Sequence, residues 1–509
     1  SEMWRDISLS NRDAILRGID RYTGRLGEMR EAIALGDRDW IMRSFERARN
    51  ARRLFSSLSG KGDHPVTNFY PSVFQVTRAT SGLHGNIRVP GDKSISHRSI
   101  MLGALADGVT TVEGFLEGED AIATVQAFRE MGVLIDGPDA GKVTVHGVGR
   151  DGLKPPKAAL YMGNSGTSMR LLSGILAGQS FDSELIGDSS LSRRPMRRIA
   201  EPLKCLGASI ATSENGTPPI YISGGQVLSG CHTDLAVASA QVKSALLLAG
   251  LYARGETSIK EPAPTRDHTE RMLVGFGYKV ERDGSICKIL GGGRLTGCHI
   301  DVPSDISSAA FFMVAATLIP DSDLTLHHVG VNPTRTGILE ILKLMGANIE
   351  IENEHEVGGE PVADLRVRYA PLKGIAIPEN LVPLAIDEFP VLFVAASCAE
   401  GETLITGAQE LRVKESDRIQ SMVDGLTVLG VRIIGTPDGA IVSGGGPEFR
   451  FSSGAVEACE DHRIAMAFSV AGLLACGPVR ISDCVNVATS FPNFVELARE
   501  VGFPLTVSE

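Results

Sequence analysis

The nine residues AFREMGVLI at 127–135 decide the fold of this chain, because their pattern returns five more times. It recurs as PLKCLGASI at 202–210, MLVGFGYKV at 272–280, ILKLMGANI at 341–349, GLTVLGVRI at 425–433 and LAREVGFPL at 497–505. In each copy an apolar helical stretch ends near a glycine and a short strand-like stretch follows. The six glycines are Gly132, Gly207, Gly277, Gly346, Gly430 and Gly502, spaced by 75, 70, 69, 84 and 72 residues. This spacing predicts six structural units of similar length.

Each unit is predicted to contain a helix, a β-branched strand, a polar loop, a second helix and the glycine turn into another strand. Such units are too long for a solenoid repeat and too regular for unrelated domains. We therefore interpret them as αβαβ-type units of an α/β (α+β) protein, with three units sharing each of two cores. The predicted lobes comprise residues 66–90 with 303–509 and residues 91–302. A cleft between two lobes is the usual place for a ligand.

Composition narrows the function classes. The 509 residues are 43% hydrophobic and carry 50 basic and 61 acidic side chains, for a formal net charge of −11. This balance argues against nucleic-acid binding, and no apolar run reaches the ~20 residues of a membrane span. The eight cysteines lack the CxxC spacing of a zinc site, and the first residues show no signal-peptide pattern. We expect a soluble, cytoplasmic protein without a metal, a nucleic acid or a membrane as partner.

The first 60 residues differ from the rest of the chain. They contain both tryptophans, 12 arginines, no lysine and 9 acidic residues. Apolar residues from Ile15 to Ile33 keep the period of an amphipathic helix, and the style continues from Arg43 to Leu54. This predicts an α-helical hairpin, followed by a Gly/Pro-containing linker at Ser59–Pro65.

The first helix of each unit is predicted to open with a polar cluster. The clusters are Gly91–Ser94, Asn164–Thr167, Ser239–Gln241, Ser304–Ser307, Asp387–Glu388 and Asp461–Arg463. Ser, Asp and Asn are ordinary helix N-caps, but capping does not require cations such as Lys93, Arg98 and Arg463. Because helix N-termini expose unpaired N–H groups at the positive end of the dipole, converging starts with added Lys and Arg predict an anion-binding site.

The second helices are predicted to open with cations as well. These stretches are Ser192–Pro195, Thr265–Asp267, Thr334–Thr336 and Arg412–Arg418. Lys414 and Arg418 stand four residues apart, so we expect both on one helical face. The stretch Gly91–Ser94 differs from a nucleotide phosphate-binding loop, because Asp92 separates the glycine from Lys93. A nucleotide-hydrolysing enzyme is therefore disfavoured.

Four stretches are longer and more specific than helix capping needs: GDKSISHR at 91–98, GNSGT at 163–167, LRVKESDR at 411–418 and DHR at 461–463. They closely resemble the motifs of the 5-enolpyruvylshikimate-3-phosphate synthase family, and the resemblance runs from about Gln75 to Gly502. It implies transfer of the enolpyruvyl group of phosphoenolpyruvate to the 5-hydroxyl of shikimate 3-phosphate, with release of phosphate. It also implies two domains that form an inverse α/β barrel of six βαβαββ-type repeats, inhibition by glyphosate, and no cofactor.

A second resemblance concerns the first residues. Trp4–Ile7 and Ser10–Asp13 look like the C-terminal helices of a prephenate dehydrogenase, which is fused to the synthase in some bacteria. Residues 1–64 are therefore interpreted as a remnant of such a fused neighbour. Because no nicotinamide-binding glycine motif is present, we expect no dehydrogenase activity.

The family resemblance implies specific contacts with both substrates. The residues implied for shikimate 3-phosphate are Lys93, Ser94, Arg98, Ser239, Ala240, Gln241, Arg266, Asp387 and Lys414. Those implied for phosphoenolpyruvate are Lys93, Gly166, Arg194, Gln241, Arg418 and Arg463. Both substrates are anions, and a guanidinium matches the geometry of carboxylate and phosphate.

Proton transfer is implied for three residues. Asp387 is the candidate that deprotonates the 5-hydroxyl, and Glu415 and Lys93 are candidates for proton transfer at the methylene carbon. The alternative for Asp387 is a helix cap alone. Some family members carry a lysine just before the segment that is Thr489–Pro492 here, so one phosphate contact is either missing or supplied by Lys414.

Two rival functions remain. The sister family transfers enolpyruvyl to a UDP-sugar on the same scaffold, but it uses a loop cysteine, and Leu191–Pro195 contains none. A non-catalytic scaffold with an anion-filled cleft is the other alternative. The carboxylates of Asp387 and Glu415 beside the cations argue against it, because binding alone needs no acid there.

Overall fold

Helices and strands alternate along residues 73–508, which the structure, a computed structural model, describes together with the single residue Ala34. The predicted helical hairpin, its linker and the dehydrogenase remnant lie outside the described residues. The α-helices are α1 Lys93–Leu105, α2 Glu119–Glu130, α3 Gly166–Ala177, α4 Arg197–Cys205, α5 Ala240–Gly250, α6 His268–Gly275, α7 Ile306–Leu318, α8 Gly337–Met345, α9 Phe389–Cys398, α10 Arg418–Val428, α11 His462–Gly472 and α12 Phe494–Glu500.

The strands are short and are distributed evenly among the helices. They are β1 Val73–Val76, β2 His84–Ile87, β3 Ala106–Glu113, β4 Leu134–Asp139, β5 Lys142–Val148, β6 Leu160–Tyr161, β7 Ser183–Ile186, β8 Ser209–Ala211, β9 Ile220–Ser223, β10 His232–Asp234, β11 Glu256–Lys260, β12 Val280–Asp283, β13 Ile286–Leu290, β14 Leu295–Thr296, β15 His299–Asp301, β16 Asp323–Gly330, β17 Asn348–Val357, β18 Glu360–Arg368, β19 Glu400–Ile405, β20 Arg432–Thr436, β21 Gly439–Gly445, β22 Gly454–Glu457, β23 Val479–Ser482 and β24 Leu505–Ser508.

These strands form six sheets, and each sheet is built mainly from one of the six predicted units. Strands β14 and β15, which follow the third unit, join the sheet of the first unit by pairing parallel with β3. In the second unit, for example, β6 pairs parallel with β7, which pairs antiparallel with β9, and β9 pairs antiparallel with β8. Along this part of the chain the prediction of six repeated units is confirmed.

The six repeat glycines end the second helices, as predicted. Each has a positive φ, between 81° at Gly277 and 100° at Gly346. A residue with a Cβ is strained in that conformation, whereas glycine adopts it freely. The strand that follows each glycine begins within three residues, so the glycine turns the chain from the second helix into the outer sheet.

The first helix of each unit is buried on nearly all sides. All residues of α7 and α9 are buried, as are eleven of the thirteen residues of α1. Helices α7, α9 and α11 pack against one another, and α3 packs against both α1 and α5. The first helices therefore lie inside, and the sheets and second helices cover them.

Buried apolar side chains form two clusters. Core 1 contains residues of 74–89 and 306–505, and core 2 contains residues of 95–302. Strand β1 from the beginning of the described chain completes the last sheet, where Phe74 lies opposite Ile481 and Val507. Strand β2 pairs parallel with β16. The early strands thus belong with the last three units.

Two chain segments connect the cores, and they lie side by side. The N–H of Asp92 donates to the carbonyl of Pro303 at 2.8 Å, and the N–H of Asp305 donates to the carbonyl of Pro90 at 2.8 Å. The helices α1 and α7 begin directly after these bonds, so the connection brings two helix N-termini together. Within residues 73–508 no helix is both long and apolar enough to cross a membrane.

Candidate active site

A cavity of about 430 Å³ lies where the helix starts of the two cores converge. Of the residues that the sequence implicates, Lys93, Ser94, Gly166, Arg194, Ser239, Ala240, Gln241, Arg266, Asp387, Lys414, Glu415, Arg418 and Arg463 all line it. Nine Lys and Arg side chains and five Asp and Glu side chains are found on its wall. The volume suits small molecules, and the excess of cations suits anions.

Capping fixes five of the six helix starts. The side chains of Asp92, Ser165, Ser239, Asp305 and Asp461 each accept a hydrogen bond from a backbone N–H in the first turn of their helix. Helix α9 is the exception, because its N-cap is Glu388 and the cap makes no such side-chain bond. The alternative that Asp387 is only a helix cap is therefore wrong.

Asp387 instead collects cations from both sides of the cavity. Its Oδ1 lies 3.1 Å from Nζ of Lys414 and 3.1 Å from Nη1 of Arg418, and its Oδ2 pairs with Arg266. Nη1 of Arg463 donates to its backbone carbonyl at 3.0 Å. Burial acts to raise the pKa of this carboxyl, but the four cations, Lys414 first, hold it well below its usual range.

Glu415 is a second carboxylate held between guanidinium groups. Its Oε1 lies 3.3 Å from Nη1 of Arg194 and its Oε2 lies 2.7 Å from Nη2 of Arg418. Burial acts to raise the pKa of Glu415, but Arg194 and then Arg418 hold it well below its usual range. Arg418 is 1% exposed and also donates from Nε to Asp461 at 2.8 Å. This arginine therefore links the two carboxylates that the sequence implicates in proton transfer.

Lys93 reaches across the cavity from the first turn of α1. Its Nζ pairs with Asp120 and donates to Oγ of Ser490 at 2.9 Å. Asp120 lies in the region of core 2 and Ser490 in that of core 1, so this single ammonium group contacts both parts of the site. The hydrogen bond from Lys93 to Ser490 shows that the Thr489–Pro492 segment approaches the cavity.

Gly166 lies against two arginines at the start of α3. A Cβ built at this position would lie 3.0 Å from Nη1 of Arg170 and 3.2 Å from Nη1 of Arg194. Nη1 of Arg170 in turn donates to Gln241 at 2.6 Å, and Gln241 donates to Thr167 at 2.9 Å. The missing side chain thus lets guanidinium groups approach the helix N-terminus closely.

Two expectations differ from the structure. Lys414 and Arg418 do not share a helical face, because α10 begins at Arg418 with Asp417 as its N-cap and residues 414–417 are not helical. Both side chains nevertheless reach Asp387. Arg98 does not line the cavity, since its guanidinium is buried and donates to Thr269 at 2.7 Å and to Ser244 at 2.9 Å. Its burial lowers its pKa to about 10.

Several wall residues were not among the predicted ligands. They include Asp120, Arg170, Arg198, Arg335, Glu410 and His462. Arg170 stands four residues after Gly166 in the same helix α3, so helical spacing was a usable signal for it, whereas Arg194 lies outside α4 and gave no such signal for Arg198. Glu410 and Asp120 carried no such signal, because they reach the site only through tertiary packing. Burial, with Lys93 and Arg463, lowers the pKa of His462 to about 3, which keeps the ring neutral.

No group of His, Cys, Asp and Glu side chains within residues 73–508 could hold a metal ion. The wall instead offers guanidinium, ammonium, amide and hydroxyl donors together with two strongly acidic carboxylates. Such a wall can bind small anions and can exchange protons with them.

The six-sheet architecture is shared with solved enolpyruvyl transferases. An enolpyruvyl transferase, NikO from Streptomyces tendae, superposes with a TM-score of 0.68 at 16% identity, covering 86% of this chain and 99% of that chain. The EPSP synthase from Acinetobacter baumannii superposes with a TM-score of 0.78 at 58% identity, covering 86% of this chain and 100% of that chain. The predicted fold class is confirmed, because the chain has the enolpyruvyl transferase fold.

Sequence comparison narrows the class further. The family model described as EPSP synthase (3-phosphoshikimate 1-carboxyvinyltransferase) matches residues 77–497. A protein of that name from Methylococcus capsulatus is 65% identical over 426 residues, 84% of this chain and 97% of that protein. Another, from Alkalilimnicola ehrlichii, is 65% identical over 429 residues, 84% of this chain and 96% of that protein. The chain belongs to the EPSP synthase family.

Proposed function

We propose that this chain transfers the enolpyruvyl group of phosphoenolpyruvate to the 5-hydroxyl of shikimate 3-phosphate and releases inorganic phosphate. The observation that carries this proposal is the cavity in which Asp387 and Glu415 stand among nine Lys and Arg side chains. Family membership supplies the reaction class, and the charge of the wall suits two substrates that carry two phosphates and two carboxylates between them.

The two substrates are proposed to occupy different parts of the wall. Shikimate 3-phosphate binds at Lys93, Ser94, Ser239, Ala240, Gln241, Arg266, Asp387 and Lys414. Phosphoenolpyruvate binds at Lys93, Gly166, Arg194, Gln241, Arg418 and Arg463. Arg98 contributes to the first set through the segments it supports, because its own guanidinium is turned to Thr269 and Ser244.

Asp387 is proposed to accept the proton of the 5-hydroxyl. In the free protein its pKa is held low by its cations, and such a carboxylate is a weak base. Anionic substrates bring negative charge to those same cations and weaken their hold on the carboxylate. Substrate binding therefore raises the pKa of Asp387 toward that of a useful base, at the moment when a hydroxyl is within reach.

Lys93 and Glu415 are proposed to serve the methylene carbon. The carbon gains a proton as the hydroxyl oxygen attacks C2, and the tetrahedral adduct then loses one proton and phosphate to form the enol ether. Lys93 can donate and Glu415 can accept, since both face the cavity. The arginines around Glu415 stabilise the charge on the departing phosphate. In some family members a lysine just before the segment that is Thr489–Pro492 here contacts phosphate, and Lys414 is the candidate for that contact in this chain.

Further properties are proposed along with the activity. Residues 66–90 with 303–509 and residues 91–302 act as two lobes that close on the substrates, an organisation supported by the two apolar cores. Glyphosate competes with phosphoenolpyruvate, the protein works in the cytoplasm, and residues 1–64 belong to a prephenate dehydrogenase sequence that is fused to the synthase.

The test is phosphate release from the purified chain. Mixing it with phosphoenolpyruvate and shikimate 3-phosphate should release phosphate catalytically, whereas either substrate alone should release none. A UDP-sugar acceptor in place of shikimate 3-phosphate is the matched control and should give no release. No phosphate release from folded protein with both substrates would overturn the proposal. Release with phosphoenolpyruvate and the UDP-sugar, but not with phosphoenolpyruvate and shikimate 3-phosphate, would point to the sister enzyme.

A further inference from the structure

A lysine with no assigned role lies buried beside the cavity. Lys243 stands four residues into α5, and its side chain is 0% exposed. Its Nζ lies 3.0 Å from Oε2 of Glu261 and 2.7 Å from Oε1 of Glu270, and these glutamates are 1% and 8% exposed. Removing one partner from such a buried ion pair leaves an uncompensated charge and is strongly destabilising for the local structure. The cluster therefore holds its members in one arrangement.

The members of this cluster belong to three different chain segments. Lys243 follows the α5 start that carries Ser239, Ala240 and Gln241. Glu261 opens the loop that leads to Arg266, and its second oxygen accepts a hydrogen bond from Oγ1 of Thr265. Glu270 belongs to the first turn of α6, which begins directly after Arg266 and Asp267. One ammonium group thus joins the two segments that present cavity groups and the helix that follows.

The same acids have a second, more exposed partner. Arg282 on β12 places Nη2 3.2 Å from Glu261 and Nη1 3.6 Å from Glu270, and its side chain is 37% exposed. Arg282 is attached to neither segment that lines the cavity. It therefore contacts the same carboxylates as Lys243 without tying the cavity segments together, and it provides a matched control.

We propose that Lys243 is a positioning residue for the phosphate monoester of the acceptor substrate. It sets the separation between the N-terminus of α5 and the loop of Arg266, so that both engage one phosphate group. A misplacement of a few tenths of an ångström at either segment weakens that shared contact. The proposal rests on the proposed function, because the ligand is shikimate 3-phosphate.

The test compares Lys243→Met with Arg282→Met. In Lys243→Met the KM for shikimate 3-phosphate should rise by about tenfold or more, while the KM for phosphoenolpyruvate at saturating acceptor should change less than about twofold. The Kd for shikimate 3-phosphate in the absence of phosphoenolpyruvate, measured by calorimetry, should rise together with the KM for shikimate 3-phosphate. Arg282→Met should leave the two KM values and the Kd within about twofold of those of the wild type. Equal changes in both KM values, or none, would overturn the positioning role.

Two further measurements keep the test decisive. If Lys243→Met does not fold, Glu261→Gln keeps an acceptor for Thr265 and removes the carboxylate through which Lys243 is tied to the loop of Arg266, while Glu270 still pairs with Lys243. The same selective rise in the KM for shikimate 3-phosphate is expected, and an unselective change contradicts the proposal. Where Lys243→Met folds, adding Glu261→Gln should have little additional effect, because the two act through one pair. If the wild-type protein shows no turnover, but Lys243→Met still weakens the binding of shikimate 3-phosphate, the proposed reaction is wrong and the positioning role of Lys243 stands.

Discussion

Asp387 illustrates what a single residue owes to its surroundings. The sequence implicated it through the family resemblance, and a role as a helix cap alone was the alternative. In the structure the cap position falls on Glu388, and Asp387 faces four cations contributed by distant segments. Motif residues such as Lys93 and Arg463 were predictable because their motifs are specific. Arg198 and Glu410, which pair at 3.1 Å, were not, because only tertiary packing brings them to the wall.

Asp92 offers a residue-level test of the buried charges near the inter-core connection. Burial acts to raise its pKa, but Arg335 and then His268 lower it from 3.8 to about 2. Because the folded pKa lies below the unfolded one, the ionised carboxylate stabilises the fold above about pH 4, and this stabilisation is lost as the pH falls through about 2. Asp92→Asn keeps the helix cap and removes the charge. It should lower the free energy of unfolding at neutral pH by about 2 kcal/mol.

Urea unfolding of Asp92→Asn and wild type at several pH values measures this effect. The gap between the two proteins should be constant above about pH 4 and should narrow below it. Asp107→Asn, at a half-exposed carboxylate that pairs with Arg294, is the control and should change stability by less than about 1 kcal/mol. A gap for Asp92→Asn that is independent of pH would contradict the assignment.

Gly166 tests the steric limits of the proposed phosphoenolpyruvate subsite. A methyl group there would lie 3.0 Å from a guanidinium nitrogen of Arg170 and 3.2 Å from one of Arg194, so at least one guanidinium must shift. Gly166→Ala should therefore raise the glyphosate inhibition constant by about tenfold or more. It should leave the KM for shikimate 3-phosphate nearly unchanged, which serves as the internal control. An unchanged inhibition constant would refute the steric argument.

At the scale of elements, the glycine turns explain why the fold could be predicted so far. Helix ends, glycines and following strands recur in the sequence, and the structure has all six glycines at positive φ. The pairing of β1 with β23 and β24 was not readable from the sequence, because strand partners distant in the chain leave no local pattern. The non-helical course of residues 414–417 was also missed, since a four-residue spacing of cations suggests a helix.

At Gly277 the backbone strain of a substitution can be measured separately from steric clashes. Its φ is +81° and a Cβ would meet nothing within 4 Å, so strain of the backbone is the only cost of adding a methyl group. Gly277→Ala should lower the free energy of unfolding by about 1 to 2 kcal/mol. The measurement is chemical denaturation of the purified variant.

The control lies two residues away. Gly275 is the last residue of α6, has no positive φ, and leaves a Cβ 3.8 Å from its nearest neighbour. Gly275→Ala should be neutral or should stabilise by up to about 1 kcal/mol. Equal destabilisation by both substitutions would mean that the left-handed conformation is not what the repeat glycines provide.

At the scale of the whole molecule, the acidic net charge conceals a cationic centre. The chain carries −11 overall, yet its cavity has more Lys and Arg than Asp and Glu. Cations from the part of the chain that forms core 2 pair with carboxylates from the part that forms core 1, as Arg194 does with Glu415 and Arg266 with Asp387. The site is therefore complete only when both cores are in place.

The first 64 residues should be dispensable for catalysis. The family match begins at residue 77, and, within the described part of the chain, the sheets that support the cavity are formed by strands between Val73 and Ser508. A variant without residues 1–64 should keep kcat and both KM values within about twofold of the full chain. The assay is steady-state phosphate release, and lost turnover from a folded variant would show that this segment serves the site.

We propose that Asp387, held by cations from both cores, takes part in the chemistry and not merely in binding. The most direct measurement is phosphate release by Asp387→Asn at saturating phosphoenolpyruvate and shikimate 3-phosphate, with calorimetric binding of shikimate 3-phosphate measured alongside. Loss of a general base predicts a kcat about 10²- to 10⁴-fold lower, with a much smaller loss of shikimate 3-phosphate binding, because the asparagine amide and the surrounding cations still contact the substrate. Turnover at the wild-type rate in this variant would show that Asp387 is not the general base.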